Sequence, residues 1–171
     1  MTRRSVVGVM GSGKKKLEDG EWDIAFALGQ AIASEDWVLL SGGRKEGVMD
    51  AVNAGAEGGL RIGILPNEDE TEISEHVDVA IVTGMGNARN NINILSSDVV
   101  IACGDGGAGT ASEIALALKS KKHVVLLNPS VESRNFFSKI DKSRVHVTNS
   151  VKETMKLLIN EFKLKPKSQK S

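Results

Sequence analysis

A glycine-rich turn between a predicted strand and a predicted helix has the residue types best suited to holding an anion. The apolar run 99–103 is followed by the sequence Gly-Asp-Gly-Gly-Ala-Gly-Thr at 104–110, and helical spacing follows. Glycines permit positive φ and a close approach of the backbone to a ligand. The start of a helix adds unpaired N–H groups and a partial positive charge. The pattern predicts a phosphate or other anion site on Gly106, Gly107, Gly109 and Thr110.

Arg89 and Glu113 are charged residues that could act beside this turn. The guanidinium of Arg89 could hold a phosphate through two parallel hydrogen bonds, and the alternative is an arginine on the surface or at an interface. Glu113 could contact a ligand. It also follows Thr110 by three residues, which is the spacing of a capping box in which each residue satisfies backbone N–H groups at the helix start.

Two further turns follow predicted strands, namely Gly11-Ser12-Gly13 and Ser41-Gly42-Gly43. The carboxyl ends of parallel strands share one edge of a sheet, so we expect all three turns to converge there. The first turn lacks the third glycine of the dinucleotide fingerprint, and it lacks the Gly-Lys-Ser or Gly-Lys-Thr of a P-loop. A nicotinamide enzyme and a P-loop ATPase are therefore disfavoured.

Several other polar residues lie near these turns in the sequence. An asparagine cluster suggests amides that face a ligand or a subunit interface, or a solvated face. Asp105 is expected to point away and cap the local turn, with binding of a ligand N–H donor as the alternative. The cluster consists of Asn87, Asn90, Asn91 and Asn93.

Cysteine, lysine and histidine give weaker signals. Cys103 ends a predicted strand and is expected to be a small buried residue. We expect the side chains of Lys14, Lys15 and Lys16 to be solvated. His76, His123 and His146 show no metal-ligand spacing with this cysteine or with one another, so no protein-held metal is predicted.

Alternation of apolar strands with amphipathic helices predicts an α/β fold with a parallel sheet covered on both faces. We expect one three-layer, Rossmann-like domain over 1–162, with about six to seven strands, and a flexible basic tail over 163–171. The predicted strands are 5–10, 37–40, 60–65, 77–82, 98–103, 124–127 and 145–147, and the predicted helices are 21–35, 48–56, 88–95, 114–118, 132–140 and 151–162.

Composition excludes several classes of partner. Lys+Arg 22 balances Asp+Glu 22, so no global field attracts nucleic acid or a membrane surface. No apolar stretch approaches the ~20 residues of a membrane helix. The single cysteine suits a reducing compartment, and the sequence starts without a signal peptide, so a cytoplasmic protein is expected.

Residues 106–113 resemble the Gly-Gly-x-Gly-Thr-x-x-Glu signature of the lonely-guy-type nucleotide phosphoribohydrolases, long labelled lysine decarboxylases. This Rossmann-like (SLOG) superfamily includes the molybdenum cofactor carrier proteins. Residues 41–52 are similar to its earlier Gly-Gly, Gly-(Leu/Val)-Met, Ala-Val element, and Arg89-Asn90 stands where the enzymes have Arg-Lys. Asp105 replaces the proline that the enzymes have before the glycine pair.

The resemblance is greater to the carrier branch and implies a protein that binds and protects a phosphorylated heterocycle, the molybdenum cofactor (molybdopterin). It also implies a homodimer or homotetramer, with molybdoenzymes or cofactor-synthesis proteins as partners. The turns at 11–13 and 41–43 would then cover the heterocycle. The predicted contacts are Gly11, Ser12, Gly13, Ser41, Gly42, Gly43, Arg89, Asp105, Gly106, Gly107, Gly109, Thr110 and Glu113.

Two alternatives remain open at the level of sequence. The first is an enzyme of the phosphoribohydrolase type that cleaves a purine or cytokinin nucleoside 5′-monophosphate. The resemblance would then make Arg89 and Glu113 catalytic, with the glutamate beside the N-glycosidic bond, where a carboxylate assists an oxocarbenium-like transition state. The second is a nucleotide-sensing module that binds without hydrolysis.

Overall fold

Seven parallel strands form one sheet in the computed structural model, which describes residues 3–164. Their spatial order is β4-β3-β2-β1-β5-β6-β7, so the first half of the chain builds outward from β1 and the second half builds in the opposite direction. The order of the strands therefore reverses between β1 and β5. The strands are β1 Val6–Gly11, β2 Val38–Ser41, β3 Leu60–Leu65, β4 Val79–Val82, β5 Val99–Cys103, β6 Val124–Leu127 and β7 Val145–Thr148.

Helices cover both faces of the sheet. Helices α1, α2 and α6 pack in one apolar layer, and α3, α4 and α5 pack in the other. A short 3-10 helix, Gly86–Arg89, leads directly into α3. The helices are α1 Glu21–Ser34, α2 Gly47–Gly55, α3 Asn90–Ser96, α4 Ala108–Lys119, α5 Val131–Ile140 and α6 Val151–Asn160.

The central strands are apolar on every residue because both of their faces are buried. In β5, Val99 and Ile101 face the layer of α1, α2 and α6, whereas Val100 and Ala102 face the opposite layer. All five residues of this strand are buried. Burial on both faces removes the polar alternation that a half-exposed strand would show.

Helices α1 and α2 approach each other closely through two glycines. A Cβ built on Gly29 would collide with the carbonyl oxygen of Val52, and one built on Gly55 would collide with the carbonyl oxygen of Phe26. This backbone contact sets the position of α2 against α1. It therefore also sets the position of the turn that precedes α2.

The α/β fold class predicted from the sequence is confirmed, with seven strands. The helix predicted over 88–95 becomes α-helical only at Asn90, because Ala88 and Arg89 belong to the 3-10 helix that precedes α3. Helix α4 begins at Ala108, six residues before the first apolar position of the prediction.

The proposed boundary between the domain and a basic tail lies near the end of the described chain. Leu164 is buried against the layer of α1 and α6, so packed structure continues at least to this residue of the tail predicted for 163–171. The rest of that tail, 165–171, lies outside the described residues. Within residues 3–164, no helix has the length and apolar character that crossing a bilayer requires.

Substitution of Gly29 by alanine tests the contact between α1 and α2. Alanine is a better helix former than glycine by about 1 kcal/mol, but the clash with Val52 forces the helices apart. We expect Gly29→Ala to lower the free energy of unfolding by about 1–3 kcal/mol in urea titrations. The control is Gln30→Ala on the exposed side of α1, which should have little effect, and a stabilised Gly29→Ala protein would contradict the contact.

Candidate functional site

A cavity of about 180 Å³ lies at the carboxyl edge of the sheet, beside the point where the strand order reverses. This edge is where open α/β sheets bind ligands. All three glycine turns contribute to its wall. The lining residues are Val9, Met10, Gly11, Gly13, Gly42, Arg44, Met49, Asn87, Arg89, Asn90, Gly107, Gly109, Thr110 and Glu113.

The first two turns are held in shape by buried backbone contacts. The amide of Val48 donates to the Ser12 carbonyl at 2.8 Å, which ties the turn at 11–13 to the start of α2. Ser41 is fully buried, and its Oγ accepts hydrogen bonds from the Gly43 amide and from Asn53. Ser41 therefore supports its turn from behind and is not part of the cavity wall.

The third turn leaves the start of α4 available to a ligand. Gly106 has φ of 62°, and a side chain there would collide with Thr110. The N-cap residue of α4 is Gly107, which has no side chain that could cap the helix start. Gly107 and Gly109 face open space, since a Cβ on either would meet nothing within 4 Å. The uncapped N–H groups of α4 thus lie at the wall of the cavity, as an anion site requires.

Arg89 and Glu113 meet inside the protein at this cavity. Their side chains are 10% and 8% exposed, and Arg89 Nη1 lies 3.7 Å from Glu113 Oε1. Asn93, which is fully buried, donates to the same carboxylate oxygen at 2.9 Å. Arg89 Nε and Asn93 Oδ1 are buried without a hydrogen-bond partner in residues 3–164.

The structure contradicts the capping box of Glu113 and the surface position of Arg89, whereas an interface role of Arg89 stays a prediction. Glu113 does not close a capping box with Thr110, because α4 begins earlier: its N-cap is Gly107, and the Glu113 carboxylate turns toward α3. Arg89 is not a surface arginine in this chain, because it ends the 3-10 helix and is buried.

Burial shifts the pKa values of this pair in opposite directions. It raises the pKa of Glu113 above its ordinary value, against the opposing effects of the Asn93 hydrogen bond and the Arg89 charge. Burial also lowers the pKa of Arg89, and the nearby charge of Arg44 lowers it further while Glu113 opposes the shift. The cavity thus holds charged groups where water cannot fully solvate them.

The asparagine cluster divides into two pairs. Asn90 and Asn93 are buried, and Asn90 donates to Ser112 Oγ at 3.0 Å. Asn87 and Asn91 are exposed, and Asn87 lines the cavity together with Asn90. A solvated face describes Asn91, and contact of Asn87 and Asn90 with a ligand stays a prediction.

Asp105 and Ser12 lie outside the cavity wall, in a neighbouring cleft of about 350 Å³ on the other side of the glycine turns. Asp105 points away from the cavity, and its carboxylate accepts from the amide of Ser130, the N-cap of α5, at 2.9 Å. Burial would raise the pKa of Asp105, but hydrogen bonds from Ser130 and Ser133 outweigh it and lower the pKa. Asp105 therefore connects the third glycine turn to the turn that precedes α5.

Arg44 and Met49 line the cavity but were not among the predicted contacts. Arg44 directly follows the second glycine turn, and its buried Nε has no hydrogen-bond partner in the part of the chain that the structure describes. Its position one residue beyond Gly43 was the available signal. Met49 is the third residue of α2, and only the packing of that helix reveals that its side chain reaches the cavity.

The remaining candidates lie apart from the cavity. Cys103 is buried, and burial together with the charge of Glu21 raises its pKa to about 12, so the thiol keeps its proton. Lys14, Lys15 and Lys16 are exposed. His123 and His146, which the sequence spacing did not connect, lie 3.1 Å apart through ring nitrogens. No group of three or more potential metal ligands exists among the described residues.

Comparisons with known proteins agree with this architecture. The family model of the SLOG cluster4 family matches residues 4–155. The structure of the molybdenum cofactor binding protein from the phototrophic bacterium Rippkaea orientalis is 49% identical, with a TM-score of 0.88, over 92% of this chain and 97% of that one. The molybdenum cofactor carrier protein from Chlamydomonas reinhardtii is 45% identical, with a TM-score of 0.84, over 95% of this chain and 98% of that one.

A curated relative from Archaeoglobus fulgidus, described as an uncharacterized protein, is 43% identical over 127 residues. These residues cover 73% of this chain and 81% of the relative. DNA processing protein A from Helicobacter pylori is 20% identical, with a TM-score of 0.71 over 92% of this chain and 81% of that one, which indicates a shared fold alone.

The raised pKa of Glu113 predicts a specific pH dependence of stability. Between the ordinary carboxyl pKa of about 4.3 and the higher folded value, the native state holds more protons than the unfolded state. The contribution of Glu113 to the free energy of unfolding therefore decreases as pH rises through this window. We expect the stability of the wild type relative to Glu113→Gln to fall from pH 4.5 upward in urea titrations. A relative stability that rises with pH would mean that the folded pKa is depressed.

Proposed function

The chain belongs to the SLOG cluster4 family, and we propose that it is a carrier that binds and protects the molybdenum cofactor, a phosphorylated pterin. The main support is the combination of an uncapped helix start with buried arginine in one cavity at the strand reversal. Two proteins named for binding or carrying that cofactor share the fold at 45% and 49% identity.

The phosphate is proposed to lie on the third glycine turn, against Gly106, Gly107, Gly109 and Thr110. The N–H groups at the start of α4 supply hydrogen-bond donors and a partial positive charge. Arg89 lines the same cavity with an unpartnered Nε, so its guanidinium has donor capacity left for phosphate oxygens. Donors from a helix and from a side chain would thus share one anion.

The pterin is proposed to bind between the phosphate subsite and the turns at 11–13 and 41–43. Its ring carries both hydrogen-bond donors and acceptors, and the cavity wall offers both kinds of partner through the carboxylate of Glu113 and the amides of Asn87 and Asn90. Sites for ligands of this size usually measure about 300–1,000 Å³. We therefore infer that the ligand extends beyond the cavity of about 180 Å³ toward the neighbouring cleft.

Protection of such a ligand requires exclusion of water and oxygen rather than ligation of its metal by the protein. Cys103 is the only cysteine, and its thiol stays protonated and buried in the apolar layer of α1, α2 and α6. The chemistry of this residue therefore does not favour a bond to molybdenum. Retention of the ligand without turnover is the expected behaviour.

Assembly and location are part of the same proposal. We infer a cytoplasmic homodimer or homotetramer that exchanges its ligand with molybdoenzymes or cofactor-synthesis proteins. Exposed apolar side chains on the edge strand β4, namely Val79, Ile81 and Val82, favour association with another copy. The single buried cysteine is compatible with a reducing compartment.

One observation favours the enzymatic alternative. Arg89 and Glu113 form a buried pair at the cavity, and burial raises the pKa of the carboxyl toward the range of a general acid. Such a pair could assist cleavage of the N-glycosidic bond of a nucleoside 5′-monophosphate. The two functions differ in turnover, which makes them separable by experiment.

An anaerobic binding titration with isolated molybdenum cofactor tests the proposal directly. With AMP as competitor in the same cell, we expect saturable binding of the cofactor that AMP displaces only weakly. The physical reason is that both ligands offer a phosphate, whereas the pterin edge is expected to match the amides and the carboxylate of the cavity better. Absence of cofactor binding, with AMP bound or consumed, would exclude the carrier function.

Release of ribose 5-phosphate tests the enzymatic alternative. Incubation of the wild type with AMP or a cytokinin nucleoside 5′-monophosphate should give no ribose 5-phosphate above background if the protein is a carrier. The control is Glu132→Gln, at an exposed position on α5. If the wild type and this control release ribose 5-phosphate and Glu113→Gln does not, the protein is a phosphoribohydrolase that depends on Glu113. Circular dichroism of each variant verifies that the fold is intact.

A further inference from the structure

Arg44 lines the cavity, and the phosphate subsite described above makes no use of it. The backbone of its turn is fixed on both sides by the segment that precedes β4. Arg44 pairs with Ile73 in an isolated antiparallel bridge. The Ser74 amide donates to the Gly43 carbonyl, and the Lys45 amide donates to the Glu72 carbonyl, each at 2.9 Å. The guanidinium is therefore attached to a turn of fixed geometry.

Arg44 and Arg89 approach the cavity from two different glycine turns. Arg44 Nη1 lies 4.0 Å from the position that a Cβ of Gly13 would occupy. Arg89 Nη1 and Nη2 lie 2.9 Å from the corresponding position at Gly42. The side chain of Met49 reaches both positions, with its methyl group near Gly13 and its sulfur near Gly42. Met49 thus bridges the glycines beside which the two guanidiniums lie.

The charges of this cavity do not balance. Arg44 and Arg89 contribute two positive charges, and Glu113 is the one carboxylate among the lining residues. Within the described chain, Arg44 has no ion pair, and the Nε atoms of both arginines are buried without an acceptor. The pKa of Arg89 is lowered by burial and then by Arg44, which indicates repulsion between the two guanidiniums.

We propose that Arg44 and Arg89 form a two-arginine clamp that selects a phosphate monoester dianion over a phosphodiester or an unphosphorylated heterocycle. Because it specifies the ligand chemistry of the same cavity, this proposal rests on the proposed function. A monoester has three terminal oxygens and two negative charges. The two guanidiniums and the N–H groups of α4 can engage all three oxygens, whereas a diester presents two oxygens and one charge.

The clamp also gives a role to the excess positive charge of the unliganded cavity, where Glu113 faces two arginines. Like charges in a partly desolvated cavity lower stability, and an anion between the two guanidiniums removes the repulsion. Part of the binding free energy therefore comes from removal of the electrostatic repulsion between the guanidiniums of Arg44 and Arg89. Removal of Arg44 should weaken phosphate binding without weakening the unliganded fold.

Calorimetric titrations with methyl phosphate and dimethyl phosphate test the clamp in the full-length protein. We expect the wild type to bind the monoester at least tenfold more tightly than the diester at pH 7.5. This preference should shrink toward pH 5.5, because the second pKa of a phosphate monoester is about 6. Arg44→Gln should lose at least tenfold in affinity for methyl phosphate, and Arg44→Lys should fall between the two.

Lys45→Gln is the matched control because it removes one positive charge from the next residue. Lys45 Nζ donates to the Thr71 carbonyl at 2.8 Å and lies 3.9 Å from Glu72, so it does not line the cavity. We expect this variant to retain the wild-type affinity for methyl phosphate. If Lys45→Gln and Arg44→Gln lose equal affinity for methyl phosphate, the loss reflects net charge rather than a contact with Arg44, and the clamp is overturned.

Thermal unfolding without ligand separates the clamp from a structural role. The midpoint of Arg44→Gln should equal or exceed that of Lys45→Gln, because the repulsion with Arg89 is removed. A lower midpoint together with unchanged affinity for methyl phosphate would overturn the proposal.

A parallel titration with the molybdenum cofactor keeps the two proposals distinguishable. Equal binding of the cofactor by the wild type and Arg44→Gln would overturn the clamp and leave the carrier function standing. Arg44-dependent binding of methyl phosphate, with no binding of the cofactor, would support the clamp and reject the carrier function.

Discussion

The parallel pairing of β1 with β5 is the constraint on which the site depends. Five residues pair in register, from Val7 with Val99 to Gly11 with Cys103, although the two strands are separated by about half of the chain. This register places the turn after β1 directly beside the turn after β5. Because later strands add on opposite sides of this pair, no helix crosses the edge between the two turns, and a cavity remains there.

Side chains on the opposite layers of helices then give the cavity its charge. Arg89 and Glu113 come from the layer of α3 and α4, whereas Arg44 comes from the turn before α2 on the other face. Asn93 donates to the carboxylate of Glu113, and Arg89 Nε has no acceptor within residues 3–164. The sheet edge thus receives polar groups from both layers, and its buried positive charge exceeds what one carboxylate can neutralise.

The sequence was most informative where a single local pattern determines the outcome. Strands such as Val99–Cys103 are continuous apolar runs, and the glycine turns end them unambiguously. The start of α4 was placed three residues too late, with Thr110 as the cap instead of Gly107, because Ala108 and Gly109 carry no amphipathic signal. The partner of Glu113 also depends on α3, twenty residues away, which local spacing with Thr110 could not indicate. Arg44 was missed because its direction depends on a backbone bridge to Ile73.

That bridge has a further consequence for the local stability of the Arg44 turn. The backbone of segment 72–74 holds the Arg44 turn through one antiparallel bridge, made of two hydrogen bonds, outside the seven-stranded sheet. Ser74 Oγ also donates to Asp50 at 2.6 Å. Such a segment can open locally at a lower free energy than global unfolding. A local opening at 72–74 would therefore release the backbone of the Arg44 turn while the seven-stranded core stays folded.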